Sequence, residues 1–237
     1  KGGLAVFLSS FAVVALVETV LMRVNIFVIS SLIPNNLSPY FPTESSWLSG
    51  KPYSDLAEKI RASGFKKLFS ARNFNSDGSE CDMLTVFSNE GGSVIARVIF
   101  ENYGGGVYAT YMFCSKICPN PGSGARYIVS SNMALARGFK HASDVLMRRY
   151  PFVSGFFKLL KIHQKRLADS GRPAASLENL TLERVQEYLD RTFIFNVDSG
   201  ILNAEKDAAE LGVWTDEGKY RLWVETILLS YFGAAPD

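Results

Sequence analysis

Side chains able to do metal, thiol or acid–base chemistry are few and scattered in this 237-residue chain. Histidine occurs only as His141 and His163, and neither belongs to an H-E-x-x-H pair that would hold zinc on one helical face. Cys114 and Cys118 form C-x3-C, while Cys81 lies on a separate strand-like segment. A structural zinc site wants four converging ligands, and a redox pair wants C-x2-C at a helix start, where the thiolate is favoured. Neither pattern is present. A local Cys114–Cys118 disulfide and two half-buried thiols both fit the spacing. Gly104-Gly105-Gly106 and Gly122-Ser123-Gly124 are neither G-x-G-x-x-G nor G-x4-G-K-S/T, and strand-like residues follow them, so they read as turns. There is no G-x-S-x-G elbow. His163 shares an apolar helical face with Phe156, Phe157, Leu160 and Leu167 and reads as a packed histidine, and Asp216-Glu217 reads as solvated turn charge. The expected protein is therefore non-catalytic, with no catalytic residue, cofactor or metal assigned.

The polar residues with the strongest claim to a role are those in an apolar setting. From Leu4 to Ile33 only Glu18 and Arg23 are ionisable. Roughly 30 residues of helix reach about 45 Å, and about 20 apolar residues cross a bilayer core. Residues 1–33 are thus expected to be a single transmembrane anchor helix, with a buried core helix as the alternative. A charge inside lipid costs at least ~2.5 kcal/mol, and five residues set Glu18 and Arg23 about 140° apart around a helix, a poor mutual pair. Arg23 can snorkel if Leu4–Met22 is embedded, whereas Glu18 is protonated or paired with a neighbouring helix. Ser9, Ser10, Glu18 and Arg23 are accordingly expected to contact other membrane helices.

The elements that would carry the rest follow in order. Residues 34–53, with Pro34, Pro39, Pro42, Pro52, Tyr40, Phe41 and Trp47, read as an extended connector near the membrane face. A soluble α+β domain is expected over 54–237. Ser54 reads as the cap of a short helix stopped by Gly64. Phe65–Phe74, Cys81–Ser88, Ser93–Glu101, Val107–Ser115 and Arg126–Ser131 are rich in Val, Ile, Phe, Tyr and Thr and are separated by Gly/Asn turns. They make an antiparallel β-meander over about 65–131. The part from about 138 to 233 reads as mostly helical: Ser154–Leu167, a helix capped by Thr181, and Gly218–Phe232. The fold class is α+β, a transmembrane helix followed by a meander packed by C-terminal helices.

Gly64-Phe65, a strand ending Thr85-Val86-Phe87, the run Tyr127–Asn132 and a late Tyr220-Arg221-Leu222 resemble membrane-anchored bacterial domains of uncharacterised function. The resemblance covers about residues 55–232. It implies an anchored α+β domain and brings no catalytic residue with it.

Charge is even overall, at +2, which argues against a nucleic-acid partner, but it is segregated. Arg137–Arg166 holds eight Lys/Arg and one acid, and Leu167–Glu217 holds eleven acids and four bases. Arg148, Arg149, Lys158, Lys161, Lys165 and Arg166, interleaved with Phe152, Phe156 and Phe157, suit an anionic membrane face or an acidic partner; a solvated side of a core helix is the alternative. With Lys59, Arg61, Lys66, Lys67 and Arg72 they favour the cytoplasmic or equivalent inner face. Against that stands the sequon Asn179-Leu180-Thr181, which matters only in a secretory lumen. The expected function is an accessory or scaffolding subunit of a larger membrane complex, its partners other membrane subunits and, as a further option, lipid headgroups. A membrane-anchored domain binding a lipid or small apolar ligand between sheet and helices is the alternative.

Overall fold

The computed structural model describes residues 2–29, 39–43, 51–74, 80–103, 106–118, 124, 126–133, 138–177, 180–206 and 212–232. Apolar residues of high helix propensity build α1 (Gly2–Ile29). β1 (Phe41–Pro42) falls in the expected connector and pairs with the strand that follows α2, while the rest of that connector up to residue 50 lies outside the described residues, apart from 39, 40 and 43. α2 spans Lys51–Ala62, so it begins three residues before Ser54, which is therefore inside the helix and not its cap. Gly64 ends it at φ +86°, a conformation that suits a residue without Cβ.

The meander comprises β2 (Phe65–Phe74), β3 (Glu80–Asn89), β4 (Ile95–Tyr103), β5 (Gly106–Ile117) and β6 (Tyr127–Ser131). Each neighbouring pair is antiparallel. The β3–β4 turn is closed by Asn89, whose Oδ1 accepts from the Val94 amide at 2.9 Å and whose amide donates to Ser93 at 3.0 Å. The residues expected to form turns at 75–79, 104–105 and 119–123 lie outside the described residues.

The stretch expected to be helical from 138 opens differently. β7 (Val145–Arg149) adds to the sheet parallel to β6, with Tyr127 beside Val145 and Ser131 beside Arg149. Its basic end and short length hide it from a pattern reading, and its pairing depends on a partner strand already in place. α3 (Phe156–Asp169) follows, then β8 (Ala174–Ala175), which pairs with the end of β5. α4 (Leu182–Asp198) is capped by Thr181, whose hydroxyl accepts from the Arg184 amide. A hairpin of β9 (Leu202–Lys206) and β10 (Gly212–Trp214) precedes α5 (Asp216–Phe232). The sheet order is β1-β2-β3-β4-β5-β6-β7, with β8 beside β5. The fold is thus α+β, with an antiparallel-dominated meander and, among the described residues, five helices.

Strand alternation divides the core in two. Met83, Phe87, Ala96, Val98, Phe100 and Phe113 meet Ala57 and Ile60 of α2 and Phe156, Leu159 and Leu160 of α3. Leu84, Val86, Ile95 and Ile99 point to the opposite face and meet Val185 of α4. Beside α4, Phe139, Ile201, Leu202 and Trp214 form a third cluster, with Leu222 of α5 against it. α5 is tied to the sheet edge through Glu225, which accepts from the Gly138 amide at 2.6 Å and pairs with Arg149 of β7.

Among the described residues no helix is long and apolar enough to cross a membrane. The transmembrane assignment of 1–33 therefore does not follow from the fold. The described side chains of α1 begin at Ser9, and residues 30–33 lie outside the described residues.

Candidate interaction site at the first and last helices

α1 docks on α5. Ala15, Thr19, Met22, Ile26 and Phe27 are the partly covered residues between Ala12 and Phe27. Their spacing of three or four is that of one helical stripe. The Trp223 indole donates to the Thr19 carbonyl at 3.1 Å, and the Tyr231 hydroxyl donates to Glu18 Oε2 at 2.9 Å. Arg23 lies over the Phe27 ring at 5.6 Å and the Trp223 ring at 5.2 Å, contacts worth about 0.5–1 kcal/mol when exposed and more when desolvated. As α1 numbers rise from Glu18 to Arg23, their α5 partners fall from Tyr231 to Trp223, so the helices run antiparallel.

The two ionisable residues of α1 thus find partners within the chain. An open groove of about 590 Å³ runs beside them, lined by Glu18, Met22, Asn25 and Ile26 of α1 and Leu222 and Thr226 of α5. Ser9 and Ser10 lie nearer the start of α1 and are exposed. The remaining flanks are apolar and bare: Val13, Leu16, Val17, Val20 and Val24 are each at least half exposed.

Sequence reasoning missed α5 as the partner. The signal was available, because Asp216–Phe232 has no consistently polar side after Arg221. Such a helix buries more than one face. Glu225 and Leu229 turn to the domain, and Trp223 and Tyr231 turn to α1.

The six basic residues separate into two groups. Arg148, Lys158, Lys161 and Lys165 are exposed. Arg149 pairs with buried Glu225, and Arg166 donates to Ser130 Oγ at 2.8 Å and to the Leu146 carbonyl at 3.0 Å. Those two fasten elements together.

His163 is fully buried under α3, between Ser115 Oγ at Nε2 and Ser130 Oγ at Nδ1, both at 3.0 Å. Burial pushes its pKa down to about 3, and the Arg166 guanidinium adds to the shift. A neutral imidazole with both nitrogens occupied and no exposed surface is a packing element, not a base poised for substrate. Cys114 and Cys118 are free thiols, and burial pushes Cys114 up to about 11 against the opposing pull of Arg97. Such a thiol is protonated and a poor nucleophile at neutral pH. Among the described residues no group of three or more His, Cys, Asp or Glu could hold a metal ion.

No family model, curated protein or solved structure matches this chain.

Proposed function

We propose that the protein is a single-pass, membrane-anchored accessory or scaffolding subunit of a larger membrane protein complex, with its α+β domain on the inner face. The observation that carries this reading is the surface of α1. One stripe rests on α5, and the other sides present valine and leucine with no cover from the described residues of the chain. A helix facing water keeps a polar side, and one that is apolar around most of its girth belongs in lipid or among other helices. Ala12–Phe27 reaches only about 24 Å, and from Glu18 onward it lies against α5 of the domain, so a crossing draws first on the apolar run that begins at Leu4. The groove beside Glu18 and Asn25 gives a partner's helix polar points to meet within an apolar channel. The inner-face assignment rests on the abundance of Lys and Arg after the helix.

Mild solubilisation of native membranes, followed by size separation and mass spectrometry, tests the reading. The chain is expected to comigrate at fixed ratio with other membrane proteins, and Asn25→Leu with Thr226→Val is expected to weaken that association. A chain that extracts as a free monomer under the gentlest conditions ends the scaffold reading. The ligand-binding alternative has less support, since the space between sheet and helices is filled by Phe87, Phe113, Phe156 and Leu159, all fully buried.

A further inference from the structure

We infer that the exposed face of α3 is a second membrane contact, specific for anionic lipid headgroups, and that β7 is the sheet edge turned toward the bilayer. The inference rests on the anchored reading above and adds the chemistry of the surface the domain lies against.

Three observations converge. α3 carries Lys158, Lys161, Lys165 and Arg166 against one acid, Asp169, and its three lysines are exposed. Bare apolar groups accompany them: Phe152 is 73% exposed, Phe157 44% and Leu146 44%. A face that is merely solvated has no use for two open phenyl rings, whereas a bilayer surface takes rings into its headgroup layer while lysines meet phosphate and carboxylate. The acidic helix α4, with Glu183, Glu187, Asp190 and Asp198, packs on the opposite face of the sheet. α4 also carries Arg184 and Arg191, and Asp55 and Glu58 of α2 share the α3 side, so the two sides differ in the net sign of their helices, positive on α3 and negative on α4.

Topology joins this face to the anchor. β7 lies at the end of the strand order. On one side Arg166 of α3 reaches the Leu146 carbonyl, and Arg148 is exposed beside it, over the Tyr150 ring. On the other, Arg149 holds Glu225 of α5, the helix on which α1 docks. The α3 face and the α1–α5 pair thus flank a single strand, so one bilayer approached by that edge meets both.

The test uses the full chain in lipid nanodiscs of phosphatidylcholine alone or with about a third phosphatidylserine. Acetylation rates of Lys158, Lys161 and Lys165 are followed by mass spectrometry, with exposed Lys59 and Lys66 as internal references. The α3 lysines are expected to be protected several-fold in anionic discs and not in neutral ones, and added salt should remove the protection. Arg148→Ala, which touches no labelled site, should lower the bound-to-free ratio roughly fivefold, the worth of one basic residue near an anionic surface. Phe152→Ala should reduce it as well. Equal labelling in both bilayers overturns the inference. So does protection seen in native membranes and absent from anionic discs, which would assign the face to an acidic protein. Retention is scored separately by alkaline carbonate: a chain released from neutral discs defeats the anchor reading. Salt-sensitive sedimentation of the full chain with anionic vesicles then decides whether the α3 face binds lipid on its own.

Discussion

Protonating His163 would place a charge between two serine hydroxyls beside the Arg166 guanidinium, in a position with no solvent-exposed surface. The native chain keeps this imidazole neutral down to about pH 3, whereas the unfolded chain takes up a proton near 6.5. Between those values the unfolded state binds more protons, so stability rises with pH and falls on acidification. The slope from this one group approaches about 1.4 kcal/mol per pH unit once pH lies well below 6.5. Urea midpoints between pH 7 and 5 are expected to fall for the native chain and to fall less steeply for His163→Gln. An NMR titration in which His163 ionises near 6.5 would rule this out. The packed histidine was legible because its apolar neighbours sit one helical turn away in sequence. Arg166 and Arg149 were not, because counting cations along a chain does not reveal which ones fold back across a sheet edge to a serine or a buried carboxylate.

At the scale of elements, α5 holds α1 and the sheet together, and its fastening is the Glu225–Arg149 pair with the Gly138 amide. Removing one partner of a buried pair leaves the other charge without compensation, at a cost of about 3–5 kcal/mol. Glu225→Ala is expected to lower stability by that order in denaturant melts. Arg149→Met with Glu225→Leu should recover much of the loss, leaving the Gly138 amide unmet; a double variant no better than the single one would assign the cost to packing. The strands β2 to β5 were legible because each has nine residues or more, rich in β-branched and aromatic types, and the five-residue β6 because its Tyr127-Ile128-Val129 run carries no charge. β7 and the β9–β10 hairpin were not. They are five residues or fewer, two of them end in charge, and their strand character comes from the partner. The docking of α1 on α5 was equally hidden, since nothing local in either helix names the other.

For the whole molecule, the decisive variant is one that the domain itself does not feel. Leu16 is 65% exposed on α1. Leu16→Arg is expected to leave thermal unfolding of the domain within about 0.5 kcal/mol of the native chain, the range of ordinary surface changes. In lipid the same charge costs at least ~2.5 kcal/mol at mid-helix, so retention in carbonate-washed membranes should drop sharply. Unchanged retention would place Leu16 outside the hydrocarbon and move the burden of anchoring elsewhere.

The pairing of first and last described helices also sets an order of events. Trp223 is polymerised 204 residues after Thr19. At about 5–20 residues per second, α1 spends roughly 10–40 seconds outside the ribosome before its intramolecular partner exists. Throughout that interval Glu18, Arg23 and the whole apolar girth are open, and a bilayer or a waiting subunit competes with nothing. On the anchored reading proposed above, capture of the nascent helix precedes completion of the domain, and α5 closes onto a segment whose surroundings have already been chosen.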